Sequence, residues 1–106
     1  MKVDKQEALG QLSKLETTFL TVFEHGTLAV EVYKPEKVDL QKPHSRDEVY
    51  VVISGSGTFF NDGVRTSFSA GDFLFVKAGL EHRFEDFTDD FFTWVIFYGP
   101  EGGEKD

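Results

Sequence analysis

From Thr17 to Tyr98 the chain is divided by glycine-bearing turns into short runs of β-branched and aromatic residues. The runs are Thr17–Glu24, Thr27–Lys34, Glu48–Ser54, Thr58–Phe60, Val64–Phe68, Phe73–Val76, Glu81–Phe87 and Phe91–Tyr98. Eight such segments at close spacing, with glycine-containing turns between them, predict an all-β sandwich or barrel. The predicted turns include His25-Gly26, Gly55-Ser56-Gly57, Asn61-Asp62-Gly63, Ser69-Ala70-Gly71, Ala78-Gly79 and Thr88-Asp89-Asp90, and Pro35–Pro43 reads as a loop. Ahead of the strands, Asp4 and Glu7 have capping-box spacing, and Ala8, Leu9, Leu12 and Leu15 recur at helical intervals. A short helix over residues 4–13 is predicted, weakened by Gly10. There is no internal repeat and no linker, so residues 1–106 read as one domain: a barrel over 17–98 and a loose acidic tail over 99–106.

Composition narrows the function classes. Without cysteine, disulfides, thiolate metal sites and cysteine nucleophiles are excluded. The net charge of −8, most of it in residues 81–106, makes nucleic acid and anionic membrane poor partners. No apolar run approaches the length of a membrane span, and residues 1–14 lack the pattern of a signal peptide, so a cytoplasmic protein is expected. Twelve phenylalanines in 106 residues point to a layered aromatic core. Val49–Ile53 and Phe91–Phe97 are apolar on both faces; one face fills the barrel, and the other predicts a homodimer or a covering element.

Chemistry is concentrated in two histidines. His44 precedes Glu48 by four residues at the head of a strand, an even spacing that places both on one face. His82 opens a later strand. Two imidazoles and a carboxylate form a sulfur-free donor set suited to Zn, Mn, Fe, Co or Ni. Gly55-Ser56-Gly57 is not a phosphate loop, because no helix follows it. By period-two alternation Tyr50 and Val52 share the face of Glu48, and Phe84 and Asp86 that of His82, making all four pocket-lining candidates.

His44-Ser45-Arg46-Asp47-Glu48, six residues, then Gly55 resembles the second half of the first cupin motif, H-x-H-x(3,4)-E-x(6)-G. Gly71, five residues, then Lys77-Ala78-Gly79-Leu80-Glu81-His82 resembles the second, G-x(5)-P-x-G-x(2)-H-x(3)-N. The chain is thus similar to small single-domain cupins of the conserved-barrel type. That resemblance implies a jelly-roll β-barrel with a divalent metal in its mouth, held by His44, Glu48 and His82. It also implies a protein that acts on or binds a small molecule: a metal-dependent oxygenase or isomerase with Tyr50 as proton donor, a non-catalytic sugar or acid binder, or a metal-free epimerase-like cupin. Lys42 stands where the motif's first histidine is expected, Lys77 where its proline is, and Asp86 where its final asparagine is. With Lys42 unable to ligate as a cation, Gln41 or Asp47 becomes the candidate for a fourth ligand. In the metal-free alternative, Lys42 pairs with Glu48.

Overall fold

The computed structural model describes residues 1–105. Helix α1 (Lys5–Ser13) precedes eight strands: β1 (Phe19–His25), β2 (Leu28–Tyr33), β3 (Asp47–Ser54), β4 (Ser56–Asn61), β5 (Val64–Ser69), β6 (Phe73–Val76), β7 (His82–Glu85) and β8 (Phe92–Tyr98). They form a five-stranded sheet in the order β1-β2-β8-β3-β6 and a three-stranded sheet in the order β5-β4-β7, antiparallel throughout. The non-sequential order is a jelly-roll arrangement. Among the described residues no ladder joins the two sheets, so the fold is two facing sheets rather than a fully closed barrel.

Between β3 and β4 the chain crosses from one sheet to the other through a single residue, Gly55; Ser56 and Gly57, expected in the turn, already belong to β4. Gly55 has φ of +87°, and a Cβ there would lie 2.5 Å from the Phe91 Cα. Only glycine tolerates both the left-handed backbone and that close approach. His25, expected in a turn, ends β1.

Inside the sandwich the even-numbered residues of β3 and β7 meet the rings of the other strands. Phe84 lies at the centre, its ring 4.6–5.3 Å from those of Phe91, Tyr50, Phe59 and Phe68. Such offset and edge-on contacts add about 0.5–1.5 kcal/mol per pair beyond burial. On the opposite side of the larger sheet, α1 lays Ala8 and Leu12 against Val32 and Phe92. The Asp4 side chain caps the helix, accepting from the amides of Gln6 (2.7 Å) and Glu7 (3.3 Å). Leu9 and Leu15 of the predicted apolar stripe are exposed, because nine residues cover only part of the sheet. No helix is long and apolar enough to cross a membrane among the described residues.

Residues 99–104 fold back on the sandwich, although their composition reads as a loose tail. The Gly102 amide donates to the Ser45 carbonyl (2.6 Å), and the Glu104 amide to Asp47 Oδ2 (2.8 Å). Residue 106 lies outside the described residues.

Candidate metal centre

Along the inner face of β3, Val52, Tyr50 and Glu48 lead from the aromatic core towards one end of the sandwich. At that end β7 opens with His82, and the 34–46 loop brings His44 over the same spot. The result is a compact group in which one donor atom each from His44, Glu48 and His82 lies within 4.8 Å of the others. Glu48 is 0% exposed and His82 2% exposed.

The donors are in close contact. Glu48 Oε1 lies 2.7 Å from His82 Nε2 and 3.9 Å from His44 Nε2. Even so, neither Glu48 oxygen nor His82 Nε2 has a partner in hydrogen-bond geometry. His82 Nδ1 is 2.9 Å from the Leu80 carbonyl, which only accepts, so Nδ1 carries the hydrogen and Nε2 is the ring nitrogen that faces Glu48. A fully buried carboxylate facing a lone pair is costly unless a cation or a proton sits between them. Burial pulls the His82 pKa down, but the adjacent Glu48 carboxylate and the Leu80 carbonyl outweigh it, and the net shift is upward. His44 is shifted downward, chiefly by burial. Its ring packs edge-on to Phe97, with centroids 5.1 Å apart.

The predicted fourth-ligand candidates separate cleanly. Gln41 Oε1 lies 3.2 Å from His44 Nε2 and accepts from the Tyr50 hydroxyl at 2.9 Å. The Gln41 amide nitrogen donates to Asp39 Oδ2 at 2.6 Å, and a carboxylate only accepts, so the amide oxygen must face the histidines. Asp47 does not join the site. As an odd-numbered residue of β3 it points away from Glu48, and its oxygens accept from the amides of Ala78 and Glu104. Lys42 is exposed on the cavity rim and makes no ion pair with Glu48 among the described residues, contrary to the metal-free expectation.

A cavity of about 570 Å³ opens over the group. Glu48, His44, Gln41 and Tyr50 reach its wall, together with Tyr33, Phe97 and Glu31. Tyr50 is therefore a lining residue, but its hydroxyl is committed to Gln41. Burial, then Glu48 and Asp39, push its pKa well up and keep it a neutral phenol. Val52 and Phe84 are not lining residues; both sit in the closed aromatic core. Asp86 is also absent from the wall. β7 ends at Glu85, and Asp86 takes a φ of +50°, which breaks the alternation that would have carried it inward.

Asp39 is the residue that the sequence reading did not single out. Its carboxylate is buried and accepts four hydrogen bonds, from the Tyr33 hydroxyl, the Gln41 amide and side chain, and the Phe84 amide. It thereby pins the 34–46 loop to β7. Its position in a loop of mixed polarity carries no periodic signal that would have found it.

The comparisons agree with the fold. A family model described as a cupin domain matches residues 29–98. An uncharacterised protein of Streptomyces coelicolor is 29% identical over 102 residues, covering 94% of this chain and 95% of its own length. Among solved structures, a cupin-2 domain protein from Shewanella frigidimarina superposes with a TM-score of 0.64 at 16% identity, over 91% of this chain and 100% of its own. KdgF from Halomonas superposes with a TM-score of 0.67 at 17% identity, over 78% of each chain. At these identities the structural matches speak for the fold alone.

Proposed function

The chain belongs to the cupin family, and from that premise we propose that it binds a divalent metal ion through His44, Glu48 and His82 and holds a small molecule in the cavity above them. One observation carries this reading: a fully buried Glu48 carboxylate meets two imidazoles, at 2.7 Å from His82 Nε2 and 3.9 Å from His44 Nε2, so that three donor atoms lie within 4.8 Å of one another beneath a cavity.

The Gln41 amide oxygen is the fourth donor in this reading, in the place left by the lysine at position 42. Asp39 and Tyr50 orient it, and the Leu80 carbonyl orients His82, as outer partners do in metal sites. Two imidazoles, a carboxylate and an amide oxygen suit Zn, Mn, Fe, Co or Ni. A bound cation would supply Lewis acidity or, if it is iron or manganese, redox chemistry. The protein's own part is to exclude water from Glu48, hold the donors in place and shape the cavity.

The test is elemental analysis of protein purified without a nickel column, followed by metal titration of the wild type and of His82→Ala and Lys42→His. One equivalent of metal, lost in His82→Ala and bound more tightly in Lys42→His, is the expected result. Wild type that binds no divalent ion after EDTA treatment would overturn the reading.

A further inference from the structure

Glu31 is a carboxylate that the metal site does not use. It lies on β2, paired with Thr21 of β1 and Val95 of β8, and its side chain reaches the cavity wall. The rung continues from Val95 to Tyr50, so Glu31 sits two strands, or roughly 10 Å, across the sheet from Tyr50. It is half-buried, and its single hydrogen bond, from the Thr21 hydroxyl, is long at 3.4 Å. No cationic side chain approaches it within ion-pair distance among the described residues.

Other acids of the fold are provided for. Glu85 meets Arg65 and Arg83, Asp39 accepts four hydrogen bonds, and Asp47 accepts two backbone amides. Glu31 has only the long Thr21 contact, and burial, partly offset by Thr21 and reinforced by Glu48 and Glu24, pushes its carboxyl up.

The rest of the wall is apolar and aromatic. Phe19, Val38 and Leu40 are exposed around the mouth, Leu40 at 83%, and Tyr33 and Phe97 lie deeper. The charged side chains on the wall are Glu31, Glu36, Glu48 and one base, Lys42, which is exposed at the rim. Leaving aside Glu48, which belongs to the metal group, an anionic ligand would meet two carboxylates and one solvated ammonium. A cation would meet Glu31 across low-dielectric walls and aromatic faces that also attract it.

Building on the cavity as a small-molecule site, we infer that its ligand has a compact apolar body and a protonated amine, with Glu31 receiving the ammonium group. The volume, about 570 Å³, is that of a small-molecule pocket. The ammonium group donates to the oxygen that Thr21 does not hold, and the apolar body lies against Phe97, Val38 and Leu40.

The experiment compares benzylamine, benzyl alcohol and benzoate, which share one apolar body and differ in head group. Each is titrated into EDTA-treated protein near neutral pH and followed by amide chemical shifts, which also report whether each variant is folded. Benzylamine is expected to bind most tightly and benzoate most weakly, with roughly a tenfold spread or more, as charge-assisted contacts give. Glu31→Gln should erase the advantage of the amine over the alcohol, and Glu31→Asp should keep part of it. Benzoate matching benzylamine, an amine advantage that survives Glu31→Gln, or no saturable binding of benzylamine would each overturn the inference. Because the protein is stripped of metal, this outcome is separate from the metal titration. Zinc binding without amine preference defeats the Glu31 assignment alone, and amine preference without zinc binding defeats the metal reading alone.

Discussion

Glu48 and Asp39 are both buried carboxylates on the inner side of the site, and their surroundings predict opposite responses to the same isosteric change. Glu48 is fully buried beside the histidines and accepts no backbone amide, so Glu48→Gln removes a desolvated charge and can offer an N–H to His82 Nε2. Above neutral pH and in EDTA, this variant is expected to resist urea better than wild type, by about 1–3 kcal/mol. It should at the same time lose most of its metal affinity. A destabilised Glu48→Gln protein under those conditions would mean that the carboxylate serves the fold rather than a cation. Asp39 is fully satisfied, and Asp39→Asn places an amide N–H₂ opposite donors. On either flip, two of the hydrogen bonds from Tyr33, Gln41 and Phe84 lose their acceptor. Equilibrium unfolding should show a loss of roughly 2–4 kcal/mol, each unsatisfied buried group costing about 1–3. The metal affinity should fall too, as Gln41 loosens.

At the scale of elements, the segment that leads into β3 is held from two sides. Asp47 joins the head of that strand to the β6–β7 turn through Ala78, and to the C-terminal segment through Glu104. The two backbone amides hold its carboxyl below the usual carboxylate range, Glu104 contributing most. Its folded pKa is depressed, so its contribution is complete above the unfolded value of about 3.9 and is lost as pH falls through the folded value. Acid titration followed by amide hydrogen exchange should therefore show Glu104 and Ala78 losing protection below about pH 4, before the strands of the larger sheet. In Asp47→Asn the same two amides should exchange fast already at neutral pH. Protection that is independent of pH in the wild type would mean that the neighbouring Gly102–Ser45 bond alone secures the segment.

For the molecule as a whole, the outer face of the larger sheet and the metal site each carry an expectation. α1 covers only the part of that face around Val32 and Phe92. Beyond it Phe73, 67% exposed, and Phe75 stand on the β6 edge beside Val49, Val51 and Ile96. A second copy pairing on this face is our expectation, and since each chain carries a net charge of −8, the two repel. Sedimentation should then show a dimer that tightens as salt rises towards 0.15 M, where the screening length is about 8 Å. Phe73→Ser with Phe75→Ser should return a monomer. A wild type that is monomeric at every salt concentration would exclude this use of the face. The metal site adds stability by mass action, about 2.7 kcal/mol at a hundredfold excess over Kd. For a domain of this size, EDTA should lower the Tm of the metal-loaded protein by on the order of 10 °C. It should leave His82→Ala unmoved.

The strand pattern, the cap at Asp4 and the two cupin-like motifs were legible in the sequence because each rests on local chemistry. Alternation follows from the pleat, the cap from a side chain two or three residues from the amides it binds, and the motif glycine at 55 from a backbone angle that only glycine tolerates. The likeness to cupins followed from the same local spacing, and the three residues it implies as ligands, His44, Glu48 and His82, come together in the structure. What lay beyond it depended on contacts between residues distant in the chain. Gln41 and Asp47 were equal candidates in the sequence, and only the direction of β3 and the hold of Asp39 on the loop turned one amide towards the histidines and one carboxylate away. Val52, Phe84 and Asp86 shared the right parity, but parity says nothing about depth. Two of them fell in the aromatic core, and the third was released by a left-handed residue at the strand end. Asp39 and Glu31 had no legible signal, since the partners of the one, and the lack of a cation near the other, exist only once the loop and the two sheets have closed around them.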